Sequence, residues 1–172
     1  MNARALMTLG ACCALASLAA QAADTTPPPP PPPPPPAAAA AAPSPYGTLA
    51  PTHPLAPAQT LIRGARWGAA LEELRRVNAT GDADWNNLMG YALRKQATPD
   101  LEGAQRHYDA ALRINPQHLG ALEYAGELAL MKKDLPAAEA NLAKLQALCA
   151  GGCEPLTMLR DAIARYKATG RV

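Results

Sequence analysis

Cys149 and Cys153, near the carboxyl end of the chain, are the two residues whose type and spacing most directly suggest chemistry. Three chemistries fit the pair: a structural disulfide, a redox-active dithiol, or a thiolate site for a soft metal such as copper, with Met158 as an extra ligand. The usual redox motif has two intervening residues, whereas this pair has three. A disulfide that closes the turn is therefore the favoured interpretation, and the other two stay open.

The start of the chain indicates which compartment these cysteines meet. Arg4 precedes an uncharged apolar run over residues 5–20, which is shorter than the roughly 18 residues of a membrane-spanning helix. Ala20 and Ala22 then supply the small-x-small pattern of a signal-peptidase site. We therefore expect residues 1–22 to be a cleaved signal peptide and the protein to be periplasmic or secreted.

Export changes the cysteine count. Cys12 and Cys13 would leave with the leader, so that Cys149 and Cys153 would remain as the only pair, in a compartment that favours disulfides. A lipoprotein anchored through Cys12 is the less favoured alternative, because the apolar run continues well beyond that residue.

Proline and alanine dominate the stretch after the leader. An unbroken proline run, Pro27 to Pro36, is followed by six alanines and further spaced prolines. At about 3.1 Å per residue in the polyproline II conformation, the run makes a rod of about 30 Å. We expect residues 23–58 to be a disordered linker that acts as a spacer. A ligand for a proline-binding domain is the alternative, disfavoured because no charged or aromatic residue flanks the run.

Nothing in the sequence predicts an enzyme or a cofactor site. It has no Gly-rich phosphate loop and no HExxH motif. His53, His107 and His118 are scattered, without a second metal ligand three or four residues away. The formal charge of +2 does not indicate a nucleic-acid partner. We therefore expect a protein that is not an enzyme and needs no cofactor or metal.

A repeat of 34 residues begins at about Gln59 and places similar residues in three-fold register. The repeated positions are Trp67, Leu101 and Leu135; Ala70, Ala104 and Ala138; Leu74, Tyr108 and Leu142; Val77, Ala111 and Leu145; and Thr80, Ile114 and Leu148. Within each unit they follow at i, i+3, i+7, i+10 and i+13, which is one face of a helix. The pattern predicts an all-α stack of antiparallel helix pairs with short loops, a short helical-hairpin solenoid.

The other half of each unit repeats as well. Gly90 and Gly126 would allow close helix approach, and they are 36 residues apart rather than 34. One loop therefore carries two additional residues, which we place near Thr98 and Pro99, with Thr98 as the N-cap of the helix that follows. Asp134 is expected to cap the equivalent helix in the next unit.

These motifs resemble the tetratricopeptide repeat over roughly residues 59–148. The second unit has Trp85, Met89-Gly90, Ala104, Tyr108, Ala111 and Pro116, and the third has Leu122, Ala125-Gly126, Ala129, Ala138, Leu142 and Leu145. The first unit departs from the pattern, because its first helix falls in the proline-rich stretch and would be truncated. The resemblance implies a small exported member with about two and a half repeats in a domain over 59–172, closed by a capping helix from Pro155 to about Lys167.

The resemblance also implies a concave groove, lined by the first helix of each pair, that receives a peptide or a partner's helix. The groove positions are Asn87, Tyr91, Arg94 and Lys95 in the second unit, and Glu123, Glu127 and Leu130 in the third. The expected function is an exported adaptor that binds another envelope protein, of unknown identity, through this groove. The alternative is a periplasmic thiol protein that uses Cys149 and Cys153 for redox or metal handling, with the repeats recruiting the client.

Overall fold

A computed structural model describes residues 50–172 of the chain, which form seven helices and no strand. The helices are α1 (Ala56–Arg63), α2 (Trp67–Val77), α3 (Ala83–Lys95), α4 (Leu101–Ile114), α5 (Leu119–Met131), α6 (Leu135–Leu148) and α7 (Glu154–Thr169). The prediction of an all-α fold is therefore confirmed. The expected signal peptide over 1–22, Cys12 and the proline run all lie outside the described residues.

The helices pack in consecutive pairs. Helix α1 packs on α2, α3 on α4 and α5 on α6, and each pair contacts the next through α2 with α3 and α4 with α5. Because the connecting loops are short, each pair is a helical hairpin. Helix α7 packs on both α5 and α6, so it closes the stack as the predicted terminal helix. No helix within residues 50–172 has both the length and the apolar character needed to cross a lipid bilayer.

The burial of the repeated residues agrees with the predicted helix face at the alanine position and disagrees with it at the last position. Ala70, Ala104 and Ala138 are all completely buried, as expected for a position at which helices cross closely. The last repeated position, in contrast, is exposed: Ile114 retains 44% of its accessible surface and Leu148 39%. Both are the last residue of their helix, where the chain turns away and no neighbouring helix covers them.

The two repeated glycines allow the close approach predicted for them. A Cβ atom on Gly90 would lie 2.6 Å from the ring of Tyr108 in α4, and one on Gly126 would lie 2.5 Å from the side chain of Leu159 in α7. The ring of Tyr108 is completely buried and has nowhere to move. Glycine at position 90 is therefore required by the packing of α3 on α4.

The predicted cap at Thr98 is wrong. Helix α4 begins later, at Leu101, and the side chain of Asp100 accepts a hydrogen bond of 2.7 Å from the backbone N–H of Gly103. Asp134 caps α6 in the same way, with 3.0 Å to the N–H of Ala137. The two aspartate caps, Asp100 and Asp134, thus keep the 34-residue spacing of the repeat. The two additional residues remain in the loop before α4, because aspartate accepts a hydrogen bond from the first turn of a helix as well as threonine would.

The first helix is short, as predicted, but it begins earlier than Gln59. Helix α1 has eight residues and starts at Ala56, with Pro57 in its first turn, where a missing backbone N–H leaves no hydrogen bond unmade. Leu55 and Ile62 are buried against the neighbouring helices. The packed part of the chain therefore extends a few residues into the stretch expected as linker.

Candidate functional site

A cleft of about 440 Å³ lies near the carboxyl-terminal ends of α3, α5 and α7. It is lined by Arg94 and Lys95 of α3, Glu127 and Met131 of α5, Arg165 of α7, and Val172. Three residues predicted for the groove, Arg94, Lys95 and Glu127, are thus brought together at one place. The cleft is contributed by the first helices of successive hairpins and by the capping helix.

Arg94 forms the floor of the cleft. Its side chain is only 4% exposed, and its Nη2 lies 2.6 Å from Oε2 of Glu127. The guanidinium carbon is 5.5 Å from the ring centroid of Tyr91 and 5.4 Å from that of Tyr124, within the range of cation–π attraction. The ion pair and the two rings together hold the guanidinium in one orientation at the base of the cleft.

The hydrogen-bonding capacity of Arg94 is not exhausted by these contacts. Nη2 is paired with Glu127 at 2.6 Å, and the buried hydroxyl of Tyr108 also interacts with the guanidinium. Nε is the donor that these groups leave without an acceptor within residues 50–172. Nη1 lies 4.0 Å from the sulfur of Met131, a weak acceptor. Because buried donors without acceptors are costly, the floor of the cleft is suited to an acceptor group from outside.

Glu123, predicted as part of an acidic groove surface, is instead buried. Its side chain is 1% exposed, and its Oε2 has no hydrogen-bond partner within the described part of the chain. Burial raises the pKa of Glu123, the charges of Glu127 and Glu154 add to the rise and that of Arg94 opposes it, and together they bring the pKa to about 8. Glu123 is therefore uncharged near neutral pH, and Glu127 is the acidic residue that lines the cleft.

Aromatic side chains line the approach to Arg94. Tyr91 and Tyr124 stack with ring centroids 4.5 Å apart, and Trp67 of α2 meets Tyr91 edge-on at 5.8 Å. Tyr91 is partly exposed, whereas Asn87, which we also predicted for the groove, is completely buried and does not line the cleft. Of the residues predicted for the groove, Tyr91, Arg94, Lys95 and Glu127 are thus the ones at the cleft or beside it.

Two of the basic residues that line the cleft have no ion-pair partner among residues 50–172. Neither Lys95 nor Arg165 forms an ion pair within residues 50–172, and both are exposed at the rim. Partial burial of its ammonium group lowers the pKa of Lys95, and the neighbouring charge of Arg94 lowers it further. The rim of the cleft therefore carries positive charge that residues 50–172 do not neutralise.

Arg165 was missed by the sequence reasoning, although a signal for it exists. Arg94 lies 12 residues after Asp82, the N-cap of α3 (94 − 82), and Arg165 lies 12 residues after Cys153, the N-cap of α7 (165 − 153). The two arginines thus occupy the same position on two equivalent helices. Aligning α7 with the first helices of the repeats, instead of treating it only as a cap, would have identified Arg165.

The histidines serve local structure. His118 caps α5, its Nδ1 accepting from the N–H of Ala121 at 3.1 Å, while its Nε2 lies 2.9 Å from Asp84. His53 accepts from the backbone N–H of Leu55 at 3.2 Å, just before α1. Within residues 50–172, no group of three histidine, cysteine or acidic residues is placed to hold a metal ion.

Cys149 and Cys153 form the disulfide predicted for them, with Cα atoms 5.7 Å apart. Cys149 is the C-cap of α6 and Cys153 the N-cap of α7, so the bond ties the stack directly to its last helix. The described residues therefore define a stack of helical hairpins with a basic cleft and a disulfide-tied terminal helix. Comparison of the chain with known protein families, with curated proteins and with solved structures gives no match.

Proposed function

We propose that the folded part of this protein binds a segment of another protein in the cleft between α3, α5 and α7. The observation that carries the proposal is the buried guanidinium of Arg94, which lines the cleft and is held by Glu127 and Tyr108 while its Nε has no acceptor in residues 50–172. A volume of about 440 Å³ is enough for a few side chains of a bound segment. Most of the cleft residues stand on helices, which hold side chains at a binding site more precisely than loops do.

The resemblance to tetratricopeptide repeats supports the same function. In that family the side of the stack formed by the first helices receives partners, and the cleft lies on α3 and α5, the first helices of the second and third hairpins. Export and a spacer role for the proline tract complete the proposal: an adaptor of the bacterial envelope, held at a distance from the point where its amino terminus is fixed. These two parts rest on the sequence patterns described above.

A site-specific cross-link tests the proposal. A photo-reactive amino acid replaces Met131, which lines the cleft, and in a matched protein it replaces Gln146, an exposed residue of α6. Both proteins are expressed in the native host, irradiated and purified under denaturing conditions for mass spectrometry. We expect a protein that cross-links from position 131 and not from position 146. The same products from both positions, or none from 131, would refute binding in the cleft.

A thiol function is the second candidate, favoured by the partial exposure of one of the two disulfide cysteines. Cys153 is partly exposed, whereas Cys149 is buried, so a partner's thiol can reach Cys153. In a thiol-exchange protein, Cys149→Ser would trap a partner through Cys153 as a mixed disulfide, visible as a band that thiol reductant removes. Capture of the same partner by wild type and variant without covalent linkage would favour the adaptor.

A further inference from the structure

We infer that the cleft recognises an acidic side chain of the bound segment, with an apolar side chain next to it. This inference rests on the proposed function and specifies the chemistry of the partner. It follows from the charges that line the cleft, from the position of Arg94 at its floor, and from the apolar residues beside it.

The charge balance of the cleft is positive. Arg94, Lys95 and Arg165 line it together with one acidic residue, Glu127, which is already paired with Arg94. Glu123 is buried and uncharged at neutral pH, so it does not offset the basic residues. Complementary charge guides association and rejects partners of the wrong sign. A segment with a negative charge at this point is therefore favoured over a neutral or basic one.

Helix ends explain part of this pattern but not all of it. Basic side chains are favourable in the last turn of a helix, because the unsatisfied carbonyl groups there carry partial negative charge. That effect accounts for Lys95 at the exposed end of α3. It does not account for Arg94, whose guanidinium is buried, paired with Glu127 and still without an aligned acceptor for Nε. An acceptor from the partner satisfies this donor.

The depth of Arg94 favours a side chain over a chain end as that acceptor. Arg94 is 4% exposed, and the Tyr91 and Tyr124 rings lie beside it. An aspartate or glutamate side chain reaches such a floor while its backbone stays at the rim, near Lys95 and Arg165. A terminal carboxylate would have to bring its backbone down between the rings. Met131 and Val172, which also line the cleft, would contact an apolar neighbour of the acidic residue.

A peptide-display selection tests the inference. Random dodecamers are displayed with both ends inside the carrier protein, so that every acidic group is a side chain, and they are selected on the purified domain. The test variant is the double substitution Lys95→Glu with Arg165→Glu, two exposed residues at the rim. The control is Arg106→Glu with Arg113→Glu, exposed residues of α4 that make the same change in net charge away from this cleft.

We expect aspartate and glutamate to be enriched several-fold on the wild type and on the control, and the enrichment to be lost or reversed on the test variant. A selected dodecamer, synthesised with acetylated and amidated ends, should bind the test variant about tenfold more weakly than the control. Circular dichroism confirms that all proteins keep the same helix content.

Each other outcome overturns the inference in a recognisable way. Peptides that bind the wild type without acidic enrichment, and compete with one another, leave the proposed function standing and remove the acidic preference. Acidic enrichment that the test variant retains places recognition outside the cleft. Peptides that bind only when displayed with a free carboxyl terminus indicate a chain end instead of a side chain. If no peptide is enriched on any protein, the inference and the proposed function both fail.

Discussion

Replacement of Glu123 by glutamine is expected to remove a large pH dependence from the stability of this protein. Glu123 is completely enclosed in the folded state, and burial raises the pKa of its carboxyl group from 4.5 to about 8. In the unfolded chain the same group titrates near its ordinary value. At a pH between these two pKa values, the carboxyl group of Glu123 is protonated in the folded state and ionised in the unfolded state.

The sign and size of the effect follow from proton linkage. Where the unfolded state binds one proton fewer than the folded state, the free energy of unfolding falls by about 1.4 kcal/mol per pH unit. Over the interval from 4.5 to about 8, Glu123 therefore lowers the stability by about 5 kcal/mol in total. Glutamine keeps the shape of the protonated carboxyl and does not titrate, so Glu123→Gln should be nearly neutral at pH 4 and strongly stabilising at pH 9.

Urea denaturation followed by circular dichroism, from pH 4 to pH 9, measures the difference between variant and wild type directly. Other titrating groups cancel in that difference. The matched control is Glu72→Gln, an exposed glutamate of α2, for which the difference should stay within about 0.5 kcal/mol at every pH. Stability curves for wild type and Glu123→Gln that run parallel over the whole range would refute the argument, because they would mean that Glu123 is ionised in the folded state.

Three further substitutions test packing, covalent constraint and backbone strain. Gly90→Ala should lower the free energy of unfolding by about 1–3 kcal/mol, because the new methyl group meets a buried tyrosine ring. Gly68→Ala, in open space on α2, should instead raise the free energy of unfolding by up to about 1 kcal/mol. Equal effects of the two substitutions in urea denaturation would contradict this expectation. Replacing Cys149 and Cys153 by serine should cost about 2 kcal/mol in the chain-entropy model without loss of helix content, and an unchanged thermal midpoint would show that the bond constrains nothing. Lys133→Gly, at φ 63°, should raise stability by about 1 kcal/mol, and a fall in the thermal midpoint would argue against strain there.

Local chemistry was enough to predict much of the fold. The 34-residue spacing predicted a helix face on which Ala70, Ala104 and Ala138 are all buried, and a single aspartate, Asp134, predicted the start of α6. The prediction at Thr98 failed because two residues within three positions of each other, Thr98 and Asp100, are both good caps, and sequence alone does not choose between them. The exposure of Ile114 likewise depends on where the chain turns after the helix, and the repeat pattern does not predict that turn.

The candidate site depended on packing between distant parts of the chain, and there the sequence was less informative. The family resemblance placed Arg94 and Glu127 in one groove, and both line the cleft, but it gave Glu123 the same status as Glu127 although Glu123 is enclosed and Glu127 lines the opening. The difference arises with α7, which packs on α5 and brings Glu154 into electrostatic contact with Glu123. A helix treated in the sequence only as a cap therefore determines which charges of the stack meet solvent. For this reason the net sign of the cleft, and with it the chemistry of the expected partner, emerges only when α7 is in place.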